Sequence, residues 1–320
     1  MTSSVTPSHP ADLSHNKLQP GDRAFHDWYR FVLSYPPHLV RHYLDQFGLG
    51  AGATLLDPFC GTGTTIVEAK KNGLASVGVE AIPMSHFACS TKVQWQVDLD
   101  ELHRAKDQVL AQVSQRETAA VLTFTPEQTA IVLKNSISAV PLHKCLGLHE
   151  AIAAVTMRSV RSVLQLALAY VAVHGASNLK FGPEVGIRRR KRDDAPVIEQ
   201  WQVKVEQMAA DLAAYQDLAM VPARCHHGDA RSLQSLLAPN SIDAIITSPP
   251  YPNEKDYTRT TRLESVLLGF LKDKADLRRF KQSLIRSNTR NVYKVDDDDR
   301  VLTSQSQITA LAQAIEDRRL

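Results

Sequence analysis

The stretch that most constrains the fold is "ATLLDPFCGTGTTIVEAKKNG", from Ala53 to Gly73. An apolar strand pattern ends at Asp57, a turn with two glycines follows, and a helical pattern runs on to Gly73. A second strand pattern, "ASVGVEA", comes soon afterwards. Gly73 stands where a glycine that terminates a helix is expected. Strand, helix and strand in this order predict a βαβ unit and therefore an α/β fold with parallel strands.

The glycine turn is suited to a cofactor, because glycines let the backbone approach a ligand and a helix N-terminus offers free N–H groups. A phosphate-binding loop would need a lysine directly after its last glycine, and none stands there. A dinucleotide-binding turn would need a third glycine where Ile66 stands. S-adenosylmethionine is the third candidate. Asp57 would close the first strand, Gly61 and Gly63 would form the turn, and Glu80 would end the next strand, where an acid can hold two ribose hydroxyls.

The second motif is "ITSPPYPNE", from Ile246 to Glu254, which overlaps the end of the strand pattern "SIDAIIT". Proline lacks an N–H group and fixes φ, so two prolines end a strand and make the following loop stiff. Ser248 and Tyr251 stand on either side of these prolines. The loop therefore holds a hydroxyl group and an aromatic ring in set positions at the end of a strand.

"DPFCGTGTT" followed by "TSPPY" resembles the S-adenosylmethionine-dependent DNA amino-methyltransferases, which modify N4 of cytosine or N6 of adenine. The resemblance covers residues about 25–90 and 222–290 and implies a Rossmann-like methyltransferase sheet. It implies that the first motif is the cofactor loop, the second the catalytic loop, and that "FVLSYPPHLVRHYL" helps to hold the methionine end. "HHGDARSL" resembles the element whose acid contacts the adenine ring of the cofactor. The cofactor-binding residues implied are Tyr35, Asp57, Pro58, Phe59, Gly61, Thr62, Gly63, Thr64, Glu80 and Asp229, and the catalytic residues are Ser248, Pro249, Pro250 and Tyr251.

The catalytic loop suits an amine that is a poor nucleophile. The exocyclic amine of a nucleobase reacts weakly because its lone pair is delocalised into the ring. Acceptors that draw the amine protons out of the ring plane localise the lone pair on nitrogen, and Ser248 Oγ with the Pro249 carbonyl group can serve in this way. The target base must leave the duplex to reach such a loop, and Tyr251 offers a face for stacking. The resemblance therefore predicts double-stranded DNA with a flipped base as the partner.

The first residue of the catalytic loop bears on the choice of base. In the family that the chain resembles, serine is commoner among cytosine-N4 enzymes, and Asp or Asn among adenine-N6 enzymes. Ser248 thus favours cytosine N4, with adenine N6 as the alternative. Methylation of cytosine C5 needs a cysteine nucleophile after a proline, and none of the four cysteines follows one. Cys60 is expected to be a small packing residue beside the cofactor. Methylation of an RNA base or a protein amide, and a DNA-binding remnant without catalysis, fit the same motifs and stay open.

The chain divides into four stretches. Residues 1–24 are polar and predict a flexible leader. Residues 25–90 form the cofactor-binding first part of the methyltransferase domain. Residues 91–221 show helical periodicity and predict a large helical insertion, a possible target-recognition region. Residues 222–320 carry the second part with the catalytic loop.

Two local features of these stretches have simple interpretations, and neither predicts a metal site. The basic run from Arg188 to Arg192 stands in a loop and is either solvated or in contact with phosphates. His226 and His227 have no third ligand nearby in the sequence and are expected to end a strand.

The sheet is expected to be incomplete at the C-terminus. Beyond Tyr251 the sequence shows helical patterns, a run of four aspartates expected in a solvated loop, and one short candidate strand, "NVYKV". The strand that carries Thr247 would then be an exposed apolar edge, which natural sheets avoid. Either a C-terminal completing chain supplies the missing strands, or the chain is a truncated product.

Composition sets only broad limits. The first residues lack the apolar core of a signal peptide, and no apolar run reaches the length of about 18 residues that a membrane span needs. The cysteines form no CxxC pair, so neither a disulfide framework nor a zinc ribbon is indicated. A cytoplasmic protein is expected. A net charge of +3 permits a nucleic-acid partner without arguing for one.

Overall fold

The centre of the molecule is a parallel four-stranded sheet with helices packed around it. The computed structural model describes residues 17–31, 34–115, 120–182, 184–251, 256–285, 300 and 302–318. The strands of the central sheet are β1 (Thr54–Asp57), β2 (Ala75–Glu80), β5 (Ala223–His227) and β6 (Ala244–Ile245), and β3 (Leu179–Lys180) with β4 (Gly186–Ile187) forms a separate antiparallel ribbon. The order in the sheet is β5-β2-β1-β6, with every pairing parallel. The predicted α/β class with a parallel sheet is confirmed, and it is consistent with a Rossmann-like methyltransferase.

The helices occur mainly in the long segment between β2 and β5 and after β6. Their bounds are α1 (Pro37–Gln46), α2 (Thr64–Lys71), α3 (Pro83–Val93), α4 (Leu99–Gln115), α5 (Pro126–Thr129), α6 (Ala139–Ala153), α7 (Arg158–Tyr170), α8 (Val197–Ala214), α9 (Tyr257–Thr260), α10 (Arg262–Leu267), α11 (Lys274–Ser283) and α12 (Ser306–Glu316). A π-helical turn, Val171–Ala176, continues α7.

The predicted βαβ unit is present as β1, α2 and β2. Residues of β1 pair in parallel with β2 from Thr54 opposite Ala75 to Asp57 opposite Gly78. Gly73 follows the end of α2 at φ 75, the left-handed conformation that lets a glycine terminate a helix. The sheet order reverses between β1 and β6, and in open parallel sheets ligands bind at the carboxyl ends of the strands beside such a reversal.

The segment from 91 to 221 is mainly helical, as predicted, with the β3–β4 ribbon as an addition. It packs into the same apolar core as the sheet: buried residues run from Phe25 and Trp28, through Ile66 of α2, to Leu164 of α7 and Trp201 of α8. Helix α3 crosses the predicted boundary at residue 90. The long helical segment therefore covers one side of the βαβ unit and shares its core.

The two ends of the chain differ in part from the expectations. The predicted leader extends to residue 24, whereas a 3-10 turn already forms at Pro20–Asp22, and Asp22 is buried in an ion pair with Arg41. The helical patterns beyond the catalytic loop are confirmed as α10, α11 and α12. A left-handed glycine, Gly269 at φ 80, separates the first two. The candidate strand "NVYKV" and the run of four aspartates lie outside the described residues.

In the described part of the chain, the two edge strands of the central sheet, β5 and β6, each have one strand partner. There, β6 pairs with β1 on one side, and no strand pairs with it on the other. Ile245 of this strand is 55% exposed.

Among the described helices, none combines the length and the apolar character needed to cross a membrane.

Candidate functional site

The two sequence motifs meet at one cavity at the carboxyl edge of the sheet. The turn after β1, the end of β2, the segment after β5 and the loop after β6 all open onto it. Its lining includes the following predicted site residues: Tyr35, Pro58, Phe59, Gly61, Thr62, Thr64, Glu80, Asp229, Ser248, Pro249, Pro250 and Tyr251. Two further predicted residues, Asp57 and Gly63, stand behind this lining.

Asp57 is fully buried and joins the two motifs from below. Its Oδ1 accepts hydrogen bonds from Thr247 Oγ1 at 2.7 Å and from the Phe59 N–H at 3.1 Å, and its Oδ2 accepts one from Tyr35 OH at 3.0 Å. Burial raises the pKa of Asp57, and these donors only partly offset the effect. Asp57 therefore fixes the end of β6 and the start of the glycine turn relative to each other.

Glu80, at the end of β2, is one of the acids that face the cavity. Its Oε2 accepts a hydrogen bond from the Gly61 N–H at 2.8 Å, and its Oε1 accepts one from the Ile82 N–H at 2.7 Å. Burial raises its pKa to about 7, although both N–H groups favour the charged form. A carboxylate has about four lone-pair sites, so each oxygen keeps capacity for a further donor. Glu80 thus stabilises the turn and can still accept two hydroxyl groups.

The glycine turn has the backbone conformation that only glycine adopts without strain. Gly61 lies at φ 54 and Gly63 at φ 90, both in the left-handed region. A Cβ atom at Gly63 would stand 2.7 Å from Cys89 Sγ, whereas one at Gly61 would meet no atom within 4 Å. Gly63 is also the N-cap of α2, so the N-terminus of this helix points toward the turn. Gly63 is required for packing below the turn, and Gly61 leaves the side toward the cavity open.

The loop after β6 presents polar and aromatic groups to the cavity. Ser248 and Pro249 are exposed, and Tyr251 is 57% exposed. The Tyr251 N–H donates to Tyr257 OH at 3.2 Å, and the Tyr257 ring lies 6.1 Å from that of Phe31. Phe31 and Tyr257 both line the cavity. No sequence pattern pointed to Tyr257, which stands at the start of α9, after the catalytic loop.

Asp229 lies at the far side of the cavity, just beyond β5. Its carboxylate accepts hydrogen bonds from the Arg231 N–H at 2.8 Å and from Arg231 Nε at 2.9 Å. Burial raises the pKa of Asp229, but the contacts with Arg231 outweigh it, so the pKa lies below its usual value. Asp229 is therefore a charged acceptor at the cavity wall.

The basic run and the paired histidines lie outside this cavity. Arg188 Nε donates to the Leu179 carbonyl oxygen at 3.0 Å, and Arg192 Nη1 donates to that of Gly175 at 2.8 Å. These two arginines hold the ribbon and the end of the π-helical turn, while Arg189 and Arg190 are exposed. His226 and His227 end β5, as predicted.

A parallel sheet whose glycine turn and proline loop share a cavity at its carboxyl edge is consistent with a Rossmann-like methyltransferase. Comparison with known proteins finds similar chains among the type II methyltransferases. The chain is similar to the type II methyltransferase M.BsoBI of Geobacillus stearothermophilus, with 26% identity over 308 residues that cover 86% of this chain and 58% of that protein. It is similar to the type II methyltransferase M.AvaI of Nostoc sp., with 23% identity over 308 residues that cover 87% of this chain and 60% of that protein.

A third similarity is shorter. The type II methyltransferase M.MjaII of Methanocaldococcus jannaschii is 27% identical over 95 residues, which are 29% of this chain. The chain thus spans about three fifths of the length of M.BsoBI and M.AvaI. No family model matches the chain. No solved structure matches it either.

Proposed function

We propose that the chain is the cofactor-binding and catalytic part of a DNA methyltransferase that uses S-adenosylmethionine. It would transfer a methyl group to the exocyclic amine of a flipped base, with N4 of cytosine favoured over N6 of adenine. The observation that carries this proposal is that Glu80 with the glycine turn and the loop from Ser248 to Tyr251 line the same cavity. The similarity to type II methyltransferases supports the same activity.

The residues around the cavity fit the proposed cofactor. Glu80 is a partly buried carboxylate that keeps acceptor capacity for two ribose hydroxyls, and Gly61 leaves open space where a side chain would stand. Asp229 would contact the adenine ring, and Tyr35 with its neighbours would flank the methionine end. When bound there, S-adenosylmethionine supplies an electrophilic methyl group.

The catalytic loop would prepare the amine. Ser248 Oγ and the Pro249 carbonyl oxygen would accept the two amine protons in hydrogen bonds and draw them out of the plane of the base. The lone pair would then localise on nitrogen, which stabilises the transition state relative to the planar ground state. Pro249 and Pro250 limit the motion of the carbonyl acceptor. Asp57 would act as a positioning residue, because its hydrogen bonds tie Thr247, next to Ser248, to Phe59 of the cofactor loop.

The choice of base depends on the residue at the start of this loop. A hydroxyl group at Ser248 favours cytosine N4, by the family resemblance, and adenine N6 is the alternative. The exposed ring of Tyr251 gives a flipped base a surface for stacking. The helical segment 91–221 is the proposed target-recognition region, and the exposed Arg189 and Arg190 are the proposed phosphate contacts within it.

The open edge of β6 is proposed to be covered by a further strand. The exposed Ile245 and the unpaired outer side of β6 make an apolar edge that invites pairing. The strand would come from another chain.

The test is methyl transfer from a labelled cofactor to DNA, RNA and protein offered separately. We expect the label in DNA, and mass spectrometry of the digested nucleosides should then detect N4-methylcytosine. N6-methyladenine would keep the enzyme class and change the base. If only RNA or only protein became labelled, that molecule and not DNA would be the substrate. Cofactor binding without transfer to any of the three would favour a non-catalytic remnant.

A further inference from the structure

Three cysteines that are distant in the sequence lie together beneath the glycine turn. Cys60 belongs to the turn after β1, Cys89 to α3 and Cys225 to β5. Cys60 Sγ lies 3.8 Å from Cys89 Sγ and 3.5 Å from Cys225 Sγ, and all three sulfur atoms lie within 4.8 Å of one another. Cys89 and Cys225 stand 29 and 165 positions after Cys60, so no spacing in the sequence predicts the cluster.

The sulfur separations match those of a metal–thiolate site. With metal–sulfur bonds of about 2.3 Å, as for zinc, two sulfurs of a tetrahedral site stand about 3.8 Å apart. Two of the Sγ–Sγ distances, 3.5 and 3.8 Å, are close to this value, and the third is at most 4.8 Å. Three ligand atoms are therefore already near the positions that one ion requires.

The surrounding backbone makes room for these sulfur atoms. A Cβ atom at Gly78 would stand 2.7 Å from Cys60 Sγ, and one at Gly63 would stand 2.7 Å from Cys89 Sγ. Gly78 lies within β2, where a glycine weakens a strand and often marks a close approach of other atoms. Both glycines thus accommodate the cluster.

The charge balance also suits an ion. Soft thiolate ligands select soft cations, and each ligand must lose its proton to coordinate. A divalent cation with three thiolates carries one negative charge. Lys92 is buried one helical turn after Cys89 in α3, and its Nζ donates to the Thr62 carbonyl oxygen at 3.1 Å. In its protonated form this side chain can offset that charge.

We propose that Cys60, Cys89 and Cys225 form a three-thiolate site for a soft d10 cation such as Zn(II), placed directly below the cofactor loop. On loading, three S–H bonds break, three metal–sulfur bonds form and three protons leave to solvent. The ion would tie the turn after β1 to α3 and β5, and would thereby stiffen the floor of the cavity. This proposal rests on the positions of the sulfur atoms. It does not depend on which substrate the protein has.

The experiment titrates the reduced, metal-free full chain with Cd(II) under argon. Cd(II) is the probe because its bonds to thiolates absorb in the ultraviolet. We expect one Cd(II) to bind per chain, and Zn(II) to displace it with loss of the ultraviolet absorption band. Cd(II) binding should be weakened about tenfold or more in Cys89→Ala and in Cys225→Ala. Cys145→Ala is the matched control, because Cys145 is buried in α6 and is not part of the cluster. Its titration should equal that of the wild type.

A second measurement needs no variant. X-ray absorption of the Zn(II)-loaded wild-type chain should show three sulfur neighbours at about 2.3 Å. Zinc surrounded by nitrogen and oxygen would overturn the proposal. The proposal would also be overturned if the Cd(II) titration of Cys89→Ala equalled that of the wild type. The same holds if the wild type bound no Cd(II), because the thiols would then be small packing groups. A Cys60–Cys225 disulfide that survives reduction, counted as two missing thiols in denaturant, would also overturn it.

Discussion

Single residues in the cavity have separable roles in the proposed reaction. Ser248 is proposed to act on the amine and Glu80 on the cofactor, and the structure places them on different strands' ends. A substitution of Ser248 should therefore leave the cofactor contacts intact, and a substitution of Glu80 should leave the contacts with the amine intact.

Ser248→Ala should reduce methyl transfer while cofactor binding stays nearly unchanged. Removing one preorganised hydrogen-bonding group from a transition state costs about 10²–10³-fold in rate, and we expect a loss of this order in single-turnover experiments. Ser241→Ala is the matched control, because Ser241 stands in the connection before β6 and its hydroxyl donates to the Ala238 carbonyl oxygen, away from the cavity. Equal single-turnover rates for Ser248→Ala and the wild type would remove Ser248 from the mechanism.

The pKa of Glu80 predicts how cofactor affinity depends on pH. The pKa is raised to about 7 in the free protein, so the carboxyl group is largely protonated at pH 6 and largely ionised at pH 8. Ribose hydroxyls donate to the ionised form. Affinity should therefore rise with pH through 7 and level off, and at pH 6 it should be about tenfold weaker than at pH 8. Calorimetry at pH 6, 7 and 8 measures this, and Glu80→Gln should flatten the profile. An equally steep profile in Glu80→Gln would assign the titration to another group.

At the scale of elements, α2 is fixed to the N-terminal segment by a buried acid. Glu68 of α2 is fully buried, and its carboxylate contacts His26 Nε2 at 2.7 Å, Arg41 Nη1 at 2.8 Å and Lys71 Nζ at 3.3 Å. Burial alone would raise its pKa, but His26 and the cations outweigh burial and lower the pKa to about 2. This network holds the helix that begins at the glycine turn.

Glu68→Gln should destabilise the fold strongly, because it leaves buried partners without their counter-charge. Breaking a buried pair costs about 3–5 kcal/mol, and chemical denaturation measures the loss. In the wild type the folded pKa of about 2 lies below the unfolded value of 4.5, so this stabilisation is present above pH 4.5 and is lost as the pH falls toward 2. Glu199→Gln, on the exposed face of α8, is the control. A loss below 1 kcal/mol in Glu68→Gln would mean that the network contributes little.

The same elements show what the sequence could and could not predict. The βαβ unit and its terminating Gly73 follow from local periodicity and backbone conformation, so the sequence predicts both. The burial of Asp57 between the two motifs, the hydrogen bond of Tyr257 and the cysteine cluster arise from contacts between distant segments. The β3–β4 ribbon has only two residues in each strand, too short for any periodicity. Local patterns thus locate the cavity, while the packing below it needs the tertiary structure.

At the scale of the whole molecule, the open edge of β6 predicts how the chain behaves alone. By itself, the chain should self-associate as its concentration rises, and a separately expressed segment that supplies further strands should suppress this self-association. Ile245→Lys should reduce self-association of the chain alone, because a charge blocks pairing at an edge. Val203→Lys, at an exposed position of α8, should not. A soluble, cooperatively melting monomer with full methyl-transfer activity would contradict this prediction.

Whether the cavity beside Glu80 binds S-adenosylmethionine is tested most directly by calorimetry on the wild type and Glu80→Ala. Glu127→Ala, on the surface at α5, serves as the control, and melting curves should establish that all three proteins are folded. We predict that Glu80→Ala weakens binding by about 1–3 kcal/mol, or about 5- to 150-fold, through loss of the hydrogen bonds to the ribose. An unchanged affinity in a folded Glu80→Ala protein would show that the cofactor site is assigned wrongly.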